Sequence, residues 1–239
     1  MNDFQQHTGF TVVSGGQTGV DIAALRAAQC LGFKTGGYAA RGFKTQAGYQ
    51  LGLSPNFGLQ EHTGGYSART RANVDLSDAT LVIAADMESP GTKLTLEAAR
   101  IFGRPLHAIQ VQRATNPAVK PVFPFEPIQS AQIQAARDWI LGLIEPAIEK
   151  HGFFKLNVAG NATSSAPGIF VPAFLGIMQV LYGVQLEVNK QNGFTTDDRV
   201  TWMANKMADL NIAQALTDNF NSYPDLNPRH QGLLIVDMA

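Results

Sequence analysis

Ser14-Gly15-Gly16-Gln17-Thr18-Gly19-Val20-Asp21 is the stretch on which the reading of this chain turns. A short apolar run, Phe10 to Val13, leads into it, and Val20, Ala23, Ala24, Ala27, Cys30 and Leu31 recur three or four apart after it. That pattern predicts a strand, a glycine turn and a helix. Three glycines between positions 15 and 19 let the backbone approach a ligand closely, and the first N–H groups of the helix have no partner inside it. Those groups and the helix dipole both favour negative charge, so Gly15, Gly16, Gln17, Thr18 and Gly19 are candidate phosphate-binding residues.

Two known forms of this device do not fit. A Walker A loop places Lys and then Ser or Thr after its last glycine, where this chain has Val20 and Asp21. A dinucleotide fingerprint reads G-x-G-x-x-G with an acidic residue about 20 positions on, whereas this loop is G-G-x-x-G and leads to Thr35-Gly36-Gly37-Tyr38.

Further along, the same design repeats. Ala79 to Ala85 is continuously apolar, as in a central parallel strand covered on both faces, and Asp86 to Thr92 turns into a helix that starts near Gly91 and Thr92. Phe154 to Gly160 is another strand, followed by Asn161 to Gly168, where Ser164 and Ser165 suit either a third anion-facing turn or plain helix capping. Shorter strands are expected at Gly32 to Thr35 and Leu106 to Val111, and a helix over 130–150 that Pro146 should kink or end. Alternating strands and helices predict an α/β, Rossmann-like parallel sheet with helices on both faces, and ligands bind beyond the carboxyl ends of such strands.

Between these units lies a long glycine-rich loop, Tyr38 to Gly65, read as a phosphate-facing flap carrying Arg41 and Lys44. The helix that follows holds Arg69 and Asn73 four residues apart, on one face, where a guanidinium and an amide can meet one ligand. Asp75 and Asp78 stand near its end as weaker acid/base or metal candidates. The uncharged run Ala166 to Val184 approaches membrane-spanning length, but its prolines and glycines favour a buried helix or a subunit interface. Beyond it, Thr195 to Leu216 reads as a helix and Gly232 to Val236 as a strand. The organisation expected is a Rossmann-like domain over 1–184 and an extension over 185–239 packed on it.

Composition narrows the partners. A formal net charge of −1 argues against a nucleic-acid coat or a polybasic membrane contact. One cysteine excludes an internal disulfide, and Cys30 falls on the apolar stripe of its helix. The five histidines have no metal-ligand spacing, so no metal is expected beyond one a ligand brings. The polar first nine residues lack a signal-peptide pattern, which makes a cytoplasmic setting the expectation.

SGGQTGVD, TGG at 35 to 37, and R-x-x-x-N-V at Arg69, Asn73 and Val74 resemble the molybdenum-cofactor carrier proteins, in the circularly permuted branch of the YpsA and SLOG superfamily. The resemblance runs from about Phe10 to Tyr182 and implies a Rossmann-like fold that binds nucleotides or nucleotide-like phosphates. Family members carry a basic and an acidic pair in the flap, where this chain has Phe43-Lys44 and Gln46-Ala47. They also tend to have a basic and an acidic residue where this chain has Ala162 and Thr163. Charge at the matching positions is thereby reduced to Arg41, Lys44, Arg69 and Lys93, a loss that binding survives better than catalysis.

The expected function is therefore non-enzymatic binding of a phosphate-bearing small molecule, a nucleotide or a molybdopterin-type ligand, by a carrier or by a protein that sequesters an ADP-ribose-like signal. No cofactor is required, and a homo-oligomer is expected. The alternative is a hydrolase that cleaves a glycosidic or phosphate bond of a nucleotide, for which Asp21, Glu88 and Glu97 are the available carboxylates. A scaffold that kept the fold and lost the pocket is a third reading.

Overall fold

The computed structural model describes residues 3–114 and 124–193. In chain order the elements are α1 (Asp3–Thr8), β1 (Thr11–Val13), α2 (Val20–Cys30), β2 (Lys34–Gly36), β3 (Tyr38–Ala39), a 3-10 turn at Arg41–Phe43, β4 (Lys44–Thr45), β5 (Gly48–Tyr49), α3 (Leu53–Phe57) and β6 (Gln60–Glu61). They continue as α4 (Tyr66–Leu76), β7 (Ala79–Ala84), α5 (Pro90–Ile101), β8 (Leu106–Gln110), α6 (Ser130–His151), β9 (Lys155–Gly160) and α7 (Phe170–Gln191). The helix and strand expected beyond residue 194 lie outside the described residues.

The main sheet has five parallel strands in the order β2-β1-β9-β7-β8. The fold is thus α/β and Rossmann-like. Counted along the chain, those strands run second, first, fifth, third, fourth. Moving the last strand to the front converts the order to 3-2-1-4-5, that of a doubly wound nucleotide-binding sheet. The permutation is therefore visible in the topology: β9, late in the chain, fills the central slot that a first strand normally takes. The point at which the winding reverses lies between β9 and β7, and ligands of such sheets bind beyond the carboxyl ends of the strands at that point.

Burial explains why each segment takes its place. All six residues of β7 are buried, as a strand with helices on both faces must be. On α2 the buried face is built from Ala23, Ala24, Ala27 and Ala28, small side chains that bring the helix close to the sheet and to α7. Helix α7 is long and apolar enough to cross a membrane by composition. Its Ile177, Val180, Leu181 and Val184 are nonetheless fully buried, in a core shared with α2 and α6. The helix continues through residues 184 and 185 to Gln191, so the boundary expected there falls inside one element.

Two local expectations are corrected. Helix α6 does not end at Pro146 but runs on to His151, because Pro146 sits on an exposed face where its missing N–H leaves no buried carbonyl behind. The segment 38–65 is a folded excursion, with two small two-stranded sheets and α3, instead of an irregular loop. Leu53, Phe57 and Leu59 supply its apolar contacts, and they pack on Ile22 and Leu25 of α2. The polar N-terminus adds a short helix, α1, whose Phe4 is buried among Phe10 and Phe33 with ring centroids 5.7 and 5.0 Å away. Its burial contributes about 2 kcal/mol, enough to dock a helix of two turns.

Candidate functional site

Strands β1, β9 and β7 are neighbours, so the turns that follow them emerge side by side at one end of the sheet. Asn161, the residue after β9, ties all three together. Its Oδ1 accepts the N–H groups of Ala85 and Asp86 at 2.8 and 2.9 Å, across from β9 to β7. Its Nδ2 lies within 2.9 to 3.0 Å of the Asp86 carbonyl, Ser89 Oγ and Thr92 Oγ1. In the other direction its carbonyl accepts the Val20 N–H at 3.1 Å, at the start of α2. The side chain is 1% exposed. Sequence reasoning passed over Asn161 as an ordinary loop residue, and nothing in the local sequence marks it, since its partners lie about 70 residues or more away.

The glycine loop is shaped by the protein itself. A Cβ on Gly15 would lie 1.2 Å from Nη1 of Arg69, and one on Gly19, at φ 91°, would lie 2.5 Å from the Asn161 carbonyl oxygen. These two glycines are thus required by close approach of protein groups, in addition to whatever a ligand demands. Beneath the loop, Arg69 Nη1 and Asp21 Oδ2 form a 3.0 Å ion pair, with side chains 10% and 6% exposed. Asp21 Oδ2 also accepts the Gln17 N–H at 3.2 Å. Burial pushes the Asp21 carboxyl above the usual aspartate range, against the opposing pull of Arg69 and of the Gln17 and Gly15 backbone N–H groups. Arg69 Nε is buried and has no hydrogen-bond partner among the described residues, so this guanidinium has donor capacity the protein does not use.

Arg69 and Asn73 share a face of α4 as the spacing predicts, but that face is turned to the framework. Asn73 Oδ1 accepts the Tyr38 N–H at 2.7 Å, and its Nδ2 donates to the Tyr38 carbonyl at 3.0 Å. Asn73 therefore clamps the start of the flap with both ends of its amide, while Arg69 reaches under the glycine loop.

A second amide network joins the flap to the loops. Gln17 Oε1 accepts the N–H groups of Thr18 at 3.0 Å and Gln46 at 2.8 Å. Gln46 Oε1 in turn accepts from the Thr18 hydroxyl and from the Ser164 N–H, each at 3.3 Å. The hairpin of β4 and β5 is thus strapped over both the β1 turn and the β9 turn. Phe43, at its base, has φ 53°, a conformation uncommon outside glycine, and its ring packs on the Ile22 and Leu25 cluster.

Other predicted residues sort by exposure. Thr92 is 1% exposed, with its hydroxyl between Asn161 and Ser89, so it builds the turn from inside. Gly91, Ser164, Ser165, Arg41 and Lys44 are exposed. Ser165 Oγ donates to the Ala162 carbonyl, a cap within its own turn. Lys93 pairs with Glu88, both exposed, at the mouth of α5. Glu97 is exposed farther along α5. Asp78 lies at the opposite end of the sheet, where it accepts the Lys155 N–H at 2.7 Å and pairs with His151 at 2.9 Å. Asp75 meets Arg104. Cys30 packs against the core, and burial pushes its thiol up. Among the described residues, no three His, Cys, Asp or Glu side chains cluster in a way that could hold a metal.

A doubly wound sheet with its central strand supplied from late in the chain, and with loops cross-linked at the winding reversal, defines a permuted Rossmann-like protein. The chain belongs to the circularly permutated YpsA SLOG family, whose pattern it matches over residues 12–181, from β1 to α7. It is similar to a solved structure from Syntrophus aciditrophicus SB, provisionally described as a molybdenum carrier protein. The two are 27% identical, with a TM-score of 0.52, over 73% of this chain and 93% of that one. A search of curated proteins returns no match.

Proposed function

We propose that this protein binds a phosphate-bearing small molecule, a nucleotide or a molybdopterin-type ligand, without turning it over. The observation that carries this reading is the meeting of three β-to-α turns at the winding reversal, cross-linked by Asn161 and bordered by the N-termini of α2 and α5. Two helix N-termini create positive potential there without a large net charge. Gly16 and Gly19 supply backbone N–H groups to phosphate, Gly91 does so from α5, and Arg69 adds charge from beneath the loop. Arg41 and Lys44, exposed on the flap, close on the outer end of the ligand.

The placement of the carboxylates supports binding over hydrolysis. Asp21 is held in an ion pair below the loop, and Glu97 stands on the exposed surface of α5. A general base must come within about 3 Å of the water it activates. The likeness to a protein described as a molybdenum carrier supports a carrier role. A cytoplasmic setting and a homo-oligomer are further parts of the proposal.

The test is mass spectrometry of small molecules released on denaturing freshly purified protein, repeated after incubation with a nucleotide and pterin panel. The expected result is an intact phosphate-bearing compound in near one-to-one amount with protein. Cleaved products accumulating beyond the protein concentration would overturn the non-enzymatic reading.

A further inference from the structure

We propose that the Thr18 hydroxyl and the Ser164 N–H form an oxyanion subsite, and that the carboxamide oxygen of Gln46 holds it in place of a ligand. The inference rests on the binding reading above and says where one phosphate oxygen sits. Gln46 Oε1 stands between two donors from different turns, at 3.3 Å from each, the Thr18 hydroxyl also lying 3.5 Å from Gln17 Oε1, and the residues concerned are separated by 28 and 118 positions. Its orientation is set by chemistry, because the Ser164 N–H can only donate and so must face an oxygen. Both contacts are longer than the usual 2.9 Å or so of such bonds, which makes the amide a weak occupant. A charged oxygen on the same donors forms shorter and stronger bonds.

A second observation favours an anion at this end of the sheet. Arg69 lies directly under Gly15 in the same loop, about nine-tenths buried, with Nε unpartnered and one carboxylate oxygen as its hydrogen-bonded counterpart. A guanidinium buried in this state favours a second negative group nearby. The Gln46 carboxamide supplies an oxygen but no charge. An incoming phosphate oxygen displaces it, and the exposed Gln46 side chain swings into solvent. Gln46 is then an internal competitor that weakens binding and eases release, a useful property where a ligand must be handed on.

The experiment is calorimetric titration of inorganic phosphate and of adenosine monophosphate into the full-length protein and its Gln46→Ala and Gln46→Glu variants. Gln46 is exposed, so neither change disturbs the core. Gln46→Ala is expected to bind about twofold to tenfold more tightly, the competition of one or two weak hydrogen bonds having been removed. Gln46→Glu is expected to bind at least about tenfold more weakly, since a carboxylate holds the same donors more firmly and repels the anion. Equal or weaker binding by Gln46→Ala, with the unmodified protein still binding, overturns the competitor and leaves the proposed function standing. Binding by none of the three proteins to any member of the wider ligand panel overturns both.

Discussion

Asp21 and Arg69 carry the main electrostatic decision made at single residues. Breaking a buried pair from one side leaves a charge without compensation, so Arg69→Met, which leaves the Asp21 carboxylate buried alone, should destabilise the protein by about 3 kcal/mol at neutral pH. The double variant Asp21→Asn/Arg69→Met should recover much of that loss, as a double-mutant cycle in urea would show. The pH dependence has a definite sign. Burial raises the folded-state pKa of Asp21 above its unfolded value, so the folded protein binds this proton more tightly. The group's contribution to stability is fully present below the ordinary aspartate range and is lost as pH rises through the folded value. Asp21→Asn should remove that component of the slope; an unchanged slope would show that the pair keeps Asp21 ionised throughout.

Single residues also show how one sequence signal can have two causes. The glycines at 15 and 19 suggest a backbone cleared for a ligand, and the structure shows them cleared for Arg69 and for the Asn161 carbonyl. Both demands select glycine, and no local pattern separates them. The spacing of Arg69 and Asn73 was legible in the same way: it gave the shared face, but not that this face is used on Asp21 and Tyr38.

Among the elements, α6 keeps its helix through a residue that opposes it. A proline in its interior removes a hydrogen bond and crowds the carbonyl four residues back, here that of Gly142. The helix persists because Ala136, Ile140, Ile144 and Ala147 are buried on its other side. Pro146→Ala should therefore stabilise the protein by about 1 to 3 kcal/mol, measurable as a shift of the urea midpoint with no change in slope. The short strands of the flap were not legible for a different reason. Two-residue strands have no period to detect, and their stability comes from packing on α2.

At the level of the whole molecule, the proposed ligand should stabilise the fold by mass action. At a concentration 100 times Kd the gain is about 2.7 kcal/mol, which for a domain of this size raises Tm by about 5 to 10 °C. A thermal-shift screen of nucleotides and pterins would rank the ligand classes directly. Light scattering of the same samples is expected to give a multiple of the monomer mass, and a monomer at all concentrations would remove the homo-oligomer from the proposal.

Sequence alone determined the class of fold, because periodicity and glycine punctuation are local: β7 reads as a buried strand from its own six residues, and the SGGQTGVD turn from its flanks. It also located the three turns that meet in the site. The order of the strands was decided only in three dimensions, since β9 enters the sheet between β1 and β7 and its neighbours lie more than 70 residues away. So were the partners of Asn161, Gln46 and Arg69. A side-chain hydrogen bond leaves no period in the sequence, and whether a polar group faces a ligand or the protein is settled by what the folded chain brings within about 3 Å of it.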